Sequence, residues 1–309
     1  RGAARGAGGG AAGGRRVGSH VGGVPWQRPA GGVLAGRGAG TAAGPGLVPR
    51  VLGAEGAFGV MTSSTLRVRR MPTVKRYDAY LVRSWGDGIA ALKRLEQGGV
   101  IPDVVRLSDP SESTVNLRMG APRAVRLLAR GRCLLILGWE GTATSVKTRR
   151  RAAKVGGLRL PRAGVTWEHG RYEGPYLRDD LLDAGFLVET LETSAAWSSL
   201  LTTYHGVQAA VTESLGRCVV MCHVSHLYPH GASLYFTVLA ARSDEPVSQW
   251  QRAKDAACAV LVATGATITH HHTVGTATRP WMTDAIGQLC VEGLRSDRTA
   301  LDPTGVLNP

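Results

Sequence analysis

The chain has 309 residues, of which 43% are hydrophobic, and a formal net charge of +14, enough for one large domain or two ordinary ones. Seventeen of its 42 glycines and seven arginines, with no acid or lysine, fall in the first 50 residues, so half of that charge sits in a stretch without helical or strand period. Five scattered cysteines with no Cys-x-x-Cys pair argue against a disulfide frame, and no apolar run is long enough to cross a bilayer.

Reduced thiols and the lack of a signal-like apolar stretch make a cytoplasmic protein the expectation. The chain has no initiator Met and reads as a fragment. Residues 1–45 are expected to be disordered. An arginine-rich tail can meet phosphates, but its only aromatic is Trp26, and no nucleic-acid partner is expected.

Order is expected from about Leu47. A glycine-rich turn leads to a strand over Thr65–Arg69, closed by Pro72. A strand over Tyr77–Val82 precedes a helix over Gly86–Glu96, stopped by Gly98-Gly99. Asp103–Leu107 reads as a short strand, and residues 111–131 have no clear period. Cys133–Gly138 reads as a buried strand and Thr144–Val155 as a helix. The second half repeats the rhythm, with a helix over 176–184, a strand over Phe186–Glu192 and a helix over Trp197–Leu215. Paired strands follow over Cys218–His226 and Ala232–Ala240. A helix over Val247–Thr264 has Trp250, Ala253, Ala257, Val260 and Leu261 at helical spacing and Gly265 as its cap. The order predicts an α+β fold, an antiparallel sheet with helices on one face.

Three consecutive histidines, His270, His271 and His272, follow the strand-like Ala266–Thr269. On a strand, His270 and His272 would face one way and His271 the other. Such imidazoles can move protons or bind metal near neutral pH, or simply be a solvated strand end. Tyr235 reads either as a proton-transfer phenol or as a half-buried strand tyrosine. His223, His226 and His230 invite a zinc reading, but Cys222 and His223 would face opposite sides of a strand, and no metal is expected. Glu192–Trp197 reads as a helix entry capped by Thr193 or Ser194.

Five stretches together, LGAEGAFGVMTSSTLRVRRMP, ETSAAW, HVSHLYPHGASLYF, ATITHHHTVG and LDPTGVLNP, resemble flavoproteins of the vanillyl-alcohol-oxidase type. Within that group they are most similar to the alkylglycerone-phosphate synthases and their bacterial relatives. The resemblance spans residues 44–309. It implies the last segment of an FAD-binding domain over residues 46–72 and an FAD-linked oxidase cap over 73–309. FAD is the implied cofactor, with Gly53, Ala54, Glu55, Gly56, Ala57, Phe58 and Gly59 as its last contacting loop. Without that setting the same loop is simply a turn before a strand.

The resemblance also implies roles for single residues. Tyr235 matches an acid/base tyrosine, and His270, His271 and His272 match a run near flavin and substrate that activates a fatty alcohol. Related hydroxyacid dehydrogenases use a metal-binding Glu where this chain has His271, which favours the synthase branch. Arg178 and Arg106 match substrate-site arginines, and a guanidinium fork suits a phosphate. On residue type alone they are a surface partner of Asp179 or Asp183 and an exposed strand charge.

The implied activity is exchange of an acyl chain for a fatty alcohol on acyl-dihydroxyacetone phosphate, through a flavin adduct and without net oxidation. The alternatives are an FAD-linked oxidase or dehydrogenase of a hydroxy acid or alcohol, and a non-catalytic cap lacking its flavin lobe. The expected partners are a small-molecule or lipid-phosphate substrate, with a homodimer left open and at most peripheral membrane contact.

Overall fold

The computed structural model describes residues 19–22, 51–64, 68–118, 121–161, 163–171 and 174–308. They fall into two units, one of residues 1–70 with 292–309 and one of residues 71–291. In the first unit, β1 (Ser19–Gly22) pairs antiparallel with β2 (Val60–Ser64). Most of the expected strand over Thr65–Arg69 lies outside the described residues, as does most of the tail over 1–45. The carboxylate of Asp302 accepts the amides of Val306 (3.1 Å) and Leu307 (2.8 Å), and Asn308 donates to the Glu55 carbonyl at 2.8 Å. These bonds fold the last residues against the glycine turn.

The second unit is built from two copies of one rhythm. The first runs β3 (Val74–Val82), α1 (Trp85–Gln97), β4 (Val104–Ser108), α2 (Pro110–Arg118), α3 (Arg123–Leu128), β5 (Cys133–Gly141) and α4 (Ala143–Ala152). After β6 (Leu158–Arg159), α5 (Ala163–Gly170) and α6 (Gly174–Asp183) comes the second copy. It runs β7 (Phe186–Ala196), α7 (Leu200–Leu215), β8 (Cys218–Val224), β9 (Leu227–Tyr228), β10 (Gly231–Ala241) and α8 (Pro246–Ala263). The sheet order is β6-β3-β5-β4-β8-β10-β7, with β9 beside β10, and every pairing is antiparallel. The repeats therefore meet at β4 and β8. Short helices α9 (Gly275–Thr278) and α10 (Met282–Ile286) lead to α11 (Gln288–Leu301).

The fold class matches the expectation, but helices cover both sheet faces rather than one. On the first face, Trp85, Ile89 and Leu92 of α1, Val146 of α4, Leu200, Val207 and Val211 of α7, and Ala257 and Leu261 of α8 pack with Leu135, Leu137, Leu234 and Phe236. Burying a side chain of this size contributes roughly 1.5–3 kcal/mol. Gly206 permits the approach of α7 to α8, since a Cβ there would lie 2.7 Å from Val260 Cγ1. On the second face Tyr77, Ala79, Leu81, Leu134 and Ile136 pack with Leu117, Ala129 and Leu160, and Ala163 and Trp167 of α5 join them.

Residues 111–131 form α2 and α3, and the reason they lack a clear apolar period is that α2 buries polar groups. Asp109 Oδ1 accepts the Glu112 amide at 2.8 Å, and Ser113 Oγ donates to Ser108 O and accepts from Leu134 N. The buried Ser113 hydroxyl is satisfied in this way, whereas the buried Glu112 carboxylate meets Arg106 and His223 through Oε1 and leaves Oε2 without a partner.

Two expectations are corrected. Glu192–Trp197 is not a helix entry: β7 continues to Ala196 and α7 starts at Leu200. Ala266–Thr269 is not a strand. Thr267 takes the place of a ladder residue, its amide donating to Ser194 O and its hydroxyl accepting from Ser194 N. The backbone then turns away, and Thr273 lies at a φ of 67°.

Candidate active site

Cross-strand register places Glu192, Tyr235, His223 and Ser108 in one row, over β7, β10, β8 and β4. Directly paired residues share a face, so this row is a polar stripe across the junction of the two repeats. Strand neighbours two apart share the face as well, which adds Arg106 to it.

Glu192 organises the histidines. Its Oε1 accepts the backbone amides of His270 at 3.0 Å and of His271 and His272. Three successive amides converge on one oxygen, an anion-holding nest that a strand could not form. Hence all three histidines fold over Glu192, instead of alternating faces as the sequence predicts. Burial alone would raise the Glu192 pKa, but the amides of His271, His272 and His270 outweigh it and hold the carboxyl below its usual value. Its other oxygen, Oε2, is buried without a hydrogen bond of good angle and lies 2.5 Å from His271 Nδ1.

The Nδ1 atoms of His270 and His271 are 2.8 Å apart. Two lone pairs or two N–H groups would repel there, so one proton is shared between them. Tyr228 Oη lies 2.6 Å from His270 Nε2, extending the chain to Tyr228–His270–His271–Glu192. The His270 pKa is lowered, first by burial and then by the neighbouring imidazoles, against the pull of Glu192, so His270 enters this chain as a neutral base. The His226 ring adjoins those of His270 (5.1 Å) and His271 (5.4 Å).

Tyr235 lies between two groups of imidazoles. Its ring stacks on His223 at 4.9 Å and meets the edge of His272 at 5.4 Å, with His271 at 6.5 Å. Behind it, Glu112 Oε1 is 3.0 Å from His223 Nδ1 and 2.7 Å from Arg106 Nη2. Burial raises the Glu112 pKa, but the charges of His223 and Arg106 pull it well below the carboxylate range. Burial also lowers His223. Arg106 keeps Glu112 ionised, and His223 donates to it through Nδ1.

Thus Tyr235, the three histidines and Arg106 come together, with Arg106 acting through Glu112 and His223. Arg178 lies apart. It is half-exposed on α6, 3.9 Å from both Asp179 and Glu189, and Glu189 is three residues along β7 from Glu192, on the other face. His223, His226 and His230 do not converge as one set. Among the described residues, the groups of three whose ligand atoms all lie within 4.8 Å of one another are instead His226, His270 and His271, and Glu192, His271 and His272. Glu192, Glu112 and Tyr228 were not singled out from the sequence. The sequence carries little hint of Glu192, because its strand, FLVETLETSAA, also holds Glu189, Thr190, Thr193 and Ser194.

Residues 71–309 match the family described as FAD linked oxidases, C-terminal domain. This chain belongs to that family. The FAD-linked oxidase chain is 26% identical over 287 residues to the alkyldihydroxyacetonephosphate synthase of Trypanosoma brucei brucei, covering 84% of this chain and 47% of the relative. It is 27% identical to the synthase of that name from Dictyostelium discoideum, covering 91% and 51%. It therefore spans about half the length of the curated relatives it matches. A solved alkyldihydroxyacetonephosphate synthase superposes with a TM-score of 0.64 at 24% identity, covering 82% of this chain and 48% of the other. The 4-ethylphenol oxidase of Gulosibacter chungangensis, in complex with isoeugenol, gives 0.63 at 13%, covering 86% and 58%.

FAD is the cofactor of such oxidases, and the glycine turn has features that fit it. Gly53, Glu55, Gly56 and Gly59 have φ of 81°, 51°, 86° and 144°, and a Cβ on Gly53 would meet nothing within 4 Å. The amides of Ala54, Ala57 and Gly59 close the turn itself, while those of Gly56 and Phe58 have no described acceptor. Such a turn offers outward amides to a pyrophosphate or ring edge.

Proposed function

We propose that this chain is the substrate-handling part of an FAD-dependent enzyme that exchanges the acyl chain of acyl-dihydroxyacetone phosphate for a fatty alcohol. The observation that carries the reading is Tyr235 held between His223 and the Glu192-anchored histidines. The resemblance of the chain to synthases of that activity supports it. When bound, FAD supplies an electron-accepting ring, with the Gly53–Gly59 turn holding part of it.

The residues of this chain do the rest. His270, paired with His271, takes the hydroxyl proton of the incoming alcohol, and Glu192 steadies the cation formed. Tyr235 moves the proton at the substrate carbon, its ring fixed by His223. Arg178 contacts Glu189, on the sheet face opposite Tyr235, so it takes no part in this step. One carboxylate leaves and one alkoxide enters, so carbon oxidation states are unchanged.

The test is incubation of the FAD-loaded chain with acyl-dihydroxyacetone phosphate and a long-chain alcohol, without an electron acceptor. Ether product that falls by at least a hundredfold in Tyr235→Phe supports the reading. Dye reduction by a hydroxy acid, with no ether formed, overturns it in favour of a dehydrogenase.

A further inference from the structure

On the sheet face opposite the candidate site, between β3 and α4, lies a concavity of about 490 Å³. The faces follow from register. Asp78 pairs with Leu137, which pairs with Val105, whereas Arg106 pairs with Ile136. Asp78 and Arg106 therefore point to opposite sides of the sheet.

Five cations line this concavity, Arg76, Lys147, Arg150, Arg151 and Arg159, against one carboxylate, Asp78. Asp78 is 5% exposed and already saturated. Its Oδ2 accepts Arg150 Nε at 2.7 Å, and its Oδ1 accepts Arg150 Nη2 at 2.6 Å and Arg159 Nη2 at 2.7 Å. One buried charge thus holds two guanidiniums in place. Lys147 and Arg151 are exposed and have no carboxylate within ion-pair distance among the described residues, and Arg76 bonds only the Lys75 carbonyl. Converging like charges repel unless something neutralises them. Asp78 meets its own needs with two of the five, so charge balance of the fold does not account for the other three.

We propose that this concavity binds an anion carrying two or more phosphate groups. Arg150 and Arg159 form a rigid floor, and Arg76, Lys147 and Arg151 close on the phosphate oxygens. Guanidiniums fixed by a buried acid lose little freedom on binding and present their remaining N–H groups in fixed directions. The same chemistry serves a soluble polyphosphate and the headgroup of an acidic phospholipid. The site is independent of the reaction proposed above, so either can fail without the other.

The experiment uses the full chain and its Lys147→Ala/Arg151→Ala variant, with Arg76→Ala as a second. Both altered positions of the double variant are exposed on α4, so its melting temperature without ligand should equal that of the wild type. Tripolyphosphate is titrated by thermal shift, and vesicles of phosphatidylcholine with phosphatidylinositol bisphosphate by co-sedimentation. A rise of about 5 °C with tripolyphosphate near saturation is expected, with at least a tenfold weaker midpoint in the double variant. Vesicle binding lost in the variant, with no shift from tripolyphosphate, would assign the headgroup as the source and uphold the site. Binding equal in wild type and variants would place it elsewhere, the arginines of residues 1–50 first, and overturn the proposal. No binding to either probe would overturn it too.

Discussion

Replacing Glu192 isolates the charge that holds the triple histidine. In Glu192→Gln an acceptor oxygen remains for the amides of His270, His271 and His272, but the negative charge is gone. Charge-assisted bonds are about twice as strong as neutral ones, and a net bond to a charged group contributes roughly 1.5–3 kcal/mol. Three donors share one oxygen and two of the histidines are exposed, so the loss is far from additive. About 1–2 kcal/mol is the expected cost of Gln, and about 2–4 kcal/mol that of Ala, which leaves the amides without any acceptor. At about 2–4 °C per kcal/mol, Gln should melt about 2–8 °C below wild type at pH 7. The sign with pH follows from the depressed Glu192 pKa. Its contribution is present above the unfolded Glu value of about 4.3 and is lost as pH falls through the folded value. The melting curves of wild type and Gln, followed by circular dichroism from pH 8 down to about 3, should therefore converge below pH 4. Parallel curves at every pH, or a Gln variant more stable at pH 7, would refute the anchoring role.

Asp109 behaves in the opposite sense. Burial raises it to about 6, even though Glu112, Tyr204 and Cys222 donate towards it. A raised carboxyl contributes stability below its unfolded value of about 3.9 and loses it as pH rises through the folded value. Asp109→Asn should gain about 1–3 kcal/mol on wild type between pH 4 and 7, read from urea midpoints at the two values, and a constant difference would count against it. Arg106→Ala strips Glu112 of its cation and should cost about 3 kcal/mol in stability, with Arg106→Lys recovering part. Equal unfolding midpoints for all three proteins would mean that Arg106 does not hold Glu112. Finally, Glu192 Oε1 is committed to backbone amides and the His270 ring nitrogens to Tyr228 and His271, so EDTA dialysis should leave the FAD-loaded activity unchanged. Stoichiometric zinc that survives gel filtration and is needed for turnover would contradict this.

Much of the fold was legible because it rests on local pattern. The period of Trp250, Ala253, Ala257 and Leu261 gave α8, the Gly98-Gly99 pair ended α1, and the repeated rhythm of the two halves anticipated two copies meeting in one sheet. Where the polar residues of a segment are buried, the pattern fails. In α2, Glu112 and Ser113 point inward because Asp109, Ser108, Arg106 and His223 bond to them, and no periodicity in PSESTVNLR reports partners from other strands.

The same distinction separates what was legible in the candidate site from what was not. Tyr235 and His270–His272 stand out by residue type and by resemblance, and both are where a proton would be handled. Their orientation is a non-local property. An isolated Ala-Thr-Ile-Thr followed by three histidines favours an extended chain, and extended backbone splits the three side chains between two faces. Glu192, nearly 80 positions earlier, overrides that preference. It stands opposite Tyr235 in an unbroken register from Gly231↔Ala196 to Ala241↔Phe186, and its oxygen takes three successive amides. A one-residue slip of β7 against β10 would carry Glu192 to the apolar face beside Phe236 and turn Leu191 out to the polar one. The arrangement of the candidate site is therefore fixed less by the histidines than by the packing of Leu234, Phe236 and Val238 that locks this register. Mutations in that apolar row should disturb the chemistry of histidines they never touch.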